Sequence, residues 1–364
     1  MKNSILLLLA ILFISCSVRI PSSKGQTTHT KSSRKRTNSY TDGNKTTSVK
    51  NVKIKIDYAK KYAASITESD LKRLLYTLAS DEYEGRRTGE KGQKAAAQFI
   101  IDYYKNIGVN AANTDGNYLQ NIPLEYFSGR SKDASENVVA YIKGTSKADE
   151  YVVISAHYDH LGIRDSLIYY GADDDASGTS ALLEIAEAFQ KASKDGNGPK
   201  RSIVFLNVTG EEEGLFGSKY YSENPIFPLE NTVVDLNIDM VGRFDKQHAD
   251  NPEFVYLIGA DKISQELHDL SEAANKKYTN LLLDYTYNDE SDPNRFYYRS
   301  DHYNFAKNGI PIIFYFNGVH EDYHKATDTP DKIRYDLLQK RAQLVFYTAW
   351  EIANRDKRLV VDKK

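Results

Sequence analysis

Residues 152–189 read VVISAHYDHLGIRDSLIYYGADDDASGTSALLEIAEAF, and the rest of the chain is arranged around them. The apolar run Tyr151–Ala156 predicts a buried strand that delivers His157 and Asp159 at its end. Residues two apart in a strand face the same way, so this pair can act on one object, or on each other, if the strand continues that far. After a short loop, Gly171-Ala172-Asp173-Asp174-Asp175-Ala176-Ser177-Gly178 opens into a helix where Leu182, Ile185, Ala186 and Phe189 recur at helical spacing.

Three adjacent carboxylates repel one another unless something positive sits among them, and a divalent cation is the natural counter-charge. The alternative is a solvated turn at a helix N-terminus, where acids are favoured anyway. An imidazole with a carboxylate at hand to fix its tautomer, aimed at the same end of a sheet, tips the balance to metal.

Outward from this stretch, Thr67 or Ser69 caps a predicted helix through Leu71, Leu74, Leu75 and Leu78, and Ser80–Gly89 is a loop by its glycine and charge content. Further helices are predicted over Ala95–Tyr104, ending at Gly108, over Ile263–Ala274 and over Asp336–Ile352. Strands are predicted at Leu119–Tyr126, Glu136–Lys143, Arg201–Val208, Thr232–Met240, Phe254–Ile258 and Gly309–Phe316. In Thr232–Met240 the residues alternate, with Val233, Asp235, Asn237 and Asp239 on one face and Val234, Leu236, Ile238 and Met240 on the other. Helices between strands give an α/β class, a three-layer α/β/α sandwich with a mixed, mostly parallel central sheet over residues 56–364.

The N-terminus differs in kind. Lys2 precedes an apolar run from Ile5 to Ile14, too short to span a bilayer and proportioned like a secretory signal. Cys16, the single cysteine, follows that run directly and resembles the acceptor of bacterial lipoproteins, so residues 1–16 are expected to be a signal peptide lipidated at Cys16. The alternative is an ordinary signal cut nearby. Residues 17–55 carry many Lys, Arg, Ser and Thr and almost nothing apolar, as a solvated basic tether does. Together these imply export to the cell envelope, with a membrane contact through the anchor. A net charge of -2 over 364 residues gives no bias toward nucleic acid.

Three more stretches put acids or histidine where a strand ends: Glu211-Glu212 after Arg201–Val208, Asp239 closing Thr232–Met240, and His324 beyond Gly309–Phe316. Ligands of open α/β sheets sit beyond the carboxyl ends of the strands, so these groups would converge there. His157, Asp174, Glu212, Asp239 and His324, with Glu211 to spare, suit zinc but are too many for one zinc that keeps an open position. Two Zn2+ ions about 3.5–4 Å apart and sharing a carboxylate fit the count.

In order and spacing, His157-x-Asp159, the Gly171–Gly178 run, Glu211-Glu212, Asp239-Met240, Ser300-Asp301-His302 and His324-x-x-x-Asp328 resemble the M28 family of co-catalytic zinc peptidases. The likeness begins near Ser80, where Glu84-Gly85-Arg86 also looks like the family's loop, and runs to the last helix. The resemblance implies that Asp174 bridges two zinc ions, that the Asp174–Asp175 bond is cis, and that His157 and Asp239 complete one site and Glu212 and His324 the other. It implies that Asp159 orients His157, that Glu211 is the general base acting on a metal-activated water, and that the Tyr297 hydroxyl hydrogen-bonds the developing oxyanion, a packing tyrosine being the alternative. Peptide substrates follow from it.

Within the same fold, a glutaminyl-cyclase-like enzyme uses one zinc and lacks the first metal histidine, which His157 supplies here. A receptor module that has lost its ligands is also conceivable, but none is missing. Carboxypeptidase relatives add Arg clamps, and Arg243 and Arg299 flank site motifs either as such clamps or as ion-pair partners. The short span from Phe127 to Glu136 leaves no room for the insert such relatives often carry, which favours an aminopeptidase.

Overall fold

The computed structural model describes residues 56–363; the expected signal peptide, Cys16 and the expected tether at 17–55 lie outside the described residues. In chain order the helices are α1 (Tyr58–Ala63), α2 (Glu68–Leu78), α3 (Lys91–Ile107), α4 (Ala176–Lys194), α5 (Phe216–Glu223), α6 (Gln265–Tyr278), α7 (His302–Ala306) and α8 (Tyr335–Asn354). The strands are β1 (Asn110–Ala111), β2 (Leu119–Ile122), β3 (Ser135–Ile142), β4 (Lys147–His157), β5 (Gly162–Arg164), β6 (Leu167–Tyr169), β7 (Arg201–Val208), β8 (Thr232–Ile238), β9 (Phe254–Ile258), β10 (Leu282–Asp284) and β11 (Ile312–Phe316).

Nine strands form one mixed sheet in the order β1-β3-β7-β4-β8-β11-β9-β10, with β2 also on β3. The parallel pairing expected of it belongs to its centre, where β7, β4, β8 and β11 run together, and to β10 on β9. Antiparallel pairings join β3 to β7 and β9 to β11. Register sets the site: His157 pairs with Val208, Ser155 with Asn237 and Tyr315 with Ile238, so the carboxyl ends of the four central strands finish level.

The strands alternate as a sheet covered on both faces must. Val152, Ile154 and Ala156 of β4, Ile203 and Phe205 of β7, and Val234, Leu236 and Ile238 of β8 are buried in the cluster that includes α2, α4 and α8. Val153, Val204 and Leu206 face the opposite way, toward Tyr221 of α5 and Phe305 of α7. The layers are therefore helix, sheet, helix.

Where the elements differ from expectation, a local cause is visible. β2 stops at Ile122 because Pro123 has no N–H for the ladder, and Leu124–Phe127 turns as a 3₁₀ segment. β8 ends at Ile238 rather than Met240, whose φ of 56° leaves the strand conformation. The β5–β6 hairpin and the short helices α5 and α7 were not foreseen. The hairpin turns at Asp165-Ser166, both at positive φ, and its Ile163 and Leu167 are exposed, so no burial pattern announces it. Among the described residues no helix is long and apolar enough to cross a membrane.

Candidate metal centre and active site

Each element hands its last residues to one spot. His157 is the final residue of β4, Asp239 follows β8, Glu211 and Glu212 follow β7, and His324, with φ 55°, lies in the loop after β11. Asp174 precedes α4, which Asp175 caps by accepting from Gly178 N at 2.8 Å, and Asp175 also accepts from Met240 N at 3.0 Å. The Asp174–Asp175 peptide bond is cis. Asp328 accepts from the backbone N–H groups of Asp173 and Asp174 at 3.0 and 3.3 Å, which fixes the loop from the far side.

Arg86 staples the two halves of the opening stretch. Fully buried, it donates to the carbonyls of Leu78, Tyr158, Tyr170 and Gly171, tying the His157–His160 turn to the Gly171–Asp175 loop. Burial lowers its pKa to about 10, with Asp159, Asp174, Asp175 and Asp328 nearby to sustain the charge. Gly171 sits under that staple at φ 52°; a Cβ there would lie 2.1 Å from the Asp174 carbonyl oxygen and 2.4 Å from the His160 ring.

Five of the expected residues come together. His157 Nε2 is 3.2 Å from Asp174 Oδ1 and 3.6 Å from Asp239 Oδ1, and His324 Nε2 is 3.0 Å from Asp174 Oδ2 and 3.2 Å from Glu212 Oε2. Asp174 is common to both groups. The chemistry of the donor set can be tested for a cation on one feature: His157 Nε2, Asp174 Oδ2 and Glu212 Oε1 are buried and none has a hydrogen-bond partner among the described residues. Donors on the edge of a zinc tetrahedron, with bonds of 2.0–2.1 Å, lie about 3.3 Å apart, which is the range of these contacts. The residues present fit bound metal.

The electrostatics say the same. Burial by itself raises the Asp174 carboxyl, but His157, His160 and His324 outweigh it and hold the group well below the usual range. Burial opposes charge on His324, yet Asp174 and Glu212 push it up to about 10. Imidazoles here act as the counter-charge that a cation would otherwise provide.

Glu211 behaves differently. Burial, with Asp239, Glu212 and Asp301 close by, drives its carboxyl well above the usual range against the opposing pull of His157.

Asp159 orients His157 through its backbone. His157 Nδ1 is 3.0 Å from the Asp159 carbonyl oxygen and 3.8 Å from its carboxylate, because β4 ends at His157 and the chain bends. The carboxylate instead accepts from Thr88 Oγ1 at 2.6 Å and from Glu211 N at 3.3 Å, so it steadies the main chain of Glu211. Ser300, part of a motif in the sequence but given no role there, donates its hydroxyl to Asp239 Oδ2 at 2.6 Å and accepts from Asn237 Nδ2 at 2.9 Å.

A cavity opens over the acids. Asp174, Glu211, Asp239 and His324 form its floor, Phe296, Phe314, Phe316 and Val319 an apolar wall, and Arg299 and Tyr323 complete it. Tyr297 does not line this cavity. Its ring packs beside Gly259 and Tyr298 under Lys262, and the groups raising its pKa to about 12 are burial, Tyr298, Tyr303 and Glu290 rather than the metal-site acids. Tyr323, one residue before His324 and stacked on it at 3.9 Å, does line the cavity, and burial first, then Asp174, Glu212, Glu211 and Asp239, raise its pKa. In this structure the Tyr297 ring packs outside the cavity that Tyr323 lines, since a match to a family position fixes a place in the chain and not the direction of a ring. Arg243 is an ion-pair partner of Asp322 at 3.1 Å and Glu321 at 3.3 Å. Arg299 makes no salt bridge among the described residues and lies over the Phe296 ring.

The sequence profile of Peptidase family M28 matches residues 137–349, more than half of the chain and all five of these donors. The chain belongs to peptidase family M28. A probable zinc metalloprotease of Pyricularia oryzae is 28% identical over 259 residues, covering 60% of this chain and 50% of that protein. A vacuolar membrane protease of Ajellomyces capsulatus is 30% identical over 171 residues, 44% of this chain and 18% of the other. A probable glutamate carboxypeptidase of Arabidopsis thaliana is 34% identical over 149 residues, 40% and 21%. The matches span half or less of these relatives' length. Among solved structures, LapB from Legionella pneumophila superposes with TM-score 0.65 at 20% identity, covering 82% of this chain and 75% of that one. BSAP, a zinc aminopeptidase from Bacillus subtilis, gives 0.62 at 17%, covering 82% and 99%. The fold shared with these two structures is the α/β sandwich described above.

Proposed function

We propose that the chain is a di-zinc peptidase that releases residues from the amino ends of peptides. The observation that carries this reading is that two donor groups, His157 with Asp239 and Glu212 with His324, share Asp174 beside an uncommitted acid, Glu211, at the floor of one cavity. His157, Asp239 and Asp174 would hold one zinc, and Glu212, His324 and Asp174 the other. Bound zinc would acidify a water and polarise the scissile carbonyl.

The chain's own groups do the rest. Glu211, in the cavity beside the ligand set, takes the proton of the attacking water as a carboxylate and returns it to the departing amine. The hydroxyl of Tyr323, which lines the same cavity, donates to the oxygen that becomes negative on the substrate carbonyl. Glu211 or Asp239 offers an anion for the substrate ammonium, and the phenylalanine wall suits an apolar first side chain. A second reading, a carboxypeptidase, is favoured by one observation: Arg299 brings an unengaged guanidinium to the cavity, a match for a substrate carboxylate.

Hydrolysis of aminoacyl arylamides set against amino-blocked peptides, with and without chelator, tests both. Activity on free amino termini that chelator abolishes and zinc restores is the expected result; cleavage only of blocked peptides with free carboxyl ends would transfer the proposal to the second reading. Export and a lipid anchor at Cys16 belong to the same proposal, and labelled palmitate persisting in Cys16→Ala protein would end that part of it.

A further inference from the structure

His160 was not counted as a ligand in the sequence, and alternation along an extended chain would turn it away from His157 and Asp159. The fold turns it back. Its backbone N–H donates to the Arg86 carbonyl at 3.1 Å in a bridge that pairs it with Arg87, and its ring lies flat on the bare Cα of Gly171. The side chain is completely buried, with the His324 ring edge-on at 5.9 Å.

So held, His160 Nδ1 is 2.7 Å from Glu212 Oε1 and 3.7 Å from Asp174 Oδ2. At 2.7 Å a hydrogen bond to Glu212 is expected, yet that contact does not have the direction of one, and 3.7 Å to Asp174 is too long for one. Nδ1 and Oε1 both remain without a hydrogen-bond partner among the described residues. Two electron-rich atoms buried this close repel unless a positive centre lies off the line between them, and ligands of one ion face it in that way. His160, Asp174 and Glu212 do form a second buried group of donor atoms within 4.8 Å of one another, beside that of His157, Asp174 and Asp239.

We propose that His160 is a further metal ligand, binding through Nδ1 so that the site of Asp174, Glu212 and His324 has four protein donors and the site of His157, Asp174 and Asp239 three. The inference rests on the two-metal reading above. It makes the two sites unequal: four protein donors close a zinc shell, whereas three leave a position for water or substrate. His160 then needs its proton on Nε2, while His157, whose Nδ1 faces the Asp159 carbonyl, carries its proton on Nδ1.

The competing role is a positioning one, with Nδ1–H steadying Glu212, and loss of such a partner also weakens metal binding. Affinity alone does not separate the two. Co2+ added stepwise to metal-free full-length protein, followed by proton NMR in H2O, does. Each ligating imidazole gives one strongly contact-shifted exchangeable N–H signal. Three are expected in the wild type and two in His160→Gln, with one of the two ions bound at least about tenfold more weakly in the variant and the other unchanged. Two signals in the wild type, or an unchanged set in His160→Gln, overturns the proposal; the wild-type count stands even if the variant does not fold. A wild type that takes up one equivalent of Co2+ yet shows the His160 and His324 signals together would support this ligand and sink the two-metal reading instead.

Discussion

Glu211 and Glu212 adjoin in sequence and differ in proton affinity. Burial and Asp174 act to raise Glu212, but His160 and His324 outweigh them, whereas Glu211 has only His157 to oppose its burial and its acidic neighbours. Two carboxyls pushed apart in this way divide the labour of ligand and base. Glu211→Gln should therefore keep its zinc content by elemental analysis and lose about 10²–10⁴-fold in kcat; a near wild-type rate would remove the base assignment. Asp174→Asn should instead fail to retain metal, because it removes the carboxylate common to both groups. Tyrosines divide likewise. Tyr323→Phe should lower kcat by about 10–10³-fold with a smaller change in KM, and Tyr297→Phe should leave both close to wild type. The reverse pattern would restore Tyr297 to the role that spacing suggested.

At the scale of elements, the helices that position the site carry a buried charge of their own. Glu184 of α4 is 1% exposed, receives the Tyr103 hydroxyl of α3 at 3.0 Å, and leaves Oε2 without a partner among the described residues. Burial is the main reason its pKa rises to about 7. A carboxyl raised in the folded state contributes stability that is complete below its unfolded pKa, near 4.5, and is lost as pH climbs through about 7. Glu184→Gln, which keeps an acceptor and cannot ionise, should match wild type in denaturant melts at pH 4 and exceed it at pH 8 by up to about 3 kcal/mol. Equal stabilities at pH 8 would show that the group is not held neutral. Element legibility followed the same logic of burial. β7 and β9 match their predicted limits because every residue in them is buried and each holds an apolar run, while β5 and β6, partly exposed, had no periodicity to show.

For the whole molecule, the donors span residues 157 to 324 and join four strand ends, so bound metal adds a tie among loops already joined by the hydrogen bonds of Arg86, Asp328 and Asp175. Zinc at a thousandfold excess over its Kd should add about 4 kcal/mol per site to the stability of the metal-free protein. Calorimetry should show this as a Tm that rises with zinc concentration and falls again with chelator; a Tm indifferent to both would mean that no such ion is held. The sandwich class, most elements and the identities of His157, Asp174, Glu211, Glu212, Asp239 and His324 were legible in sequence, since hydrophobic period and acids at strand ends are local features that survive without the fold. What only the tertiary structure decided was direction: that Tyr323 and not Tyr297 lines the cavity over the acids, that Ser300 holds Asp239, that Arg243 is spent on Asp322, and that His160 turns toward Glu212. The turn of His160 depends on where β4 stops and on its bridge to the Arg86–Arg87 segment, and in every case a residue's neighbours across space are set by chain segments far from it in sequence.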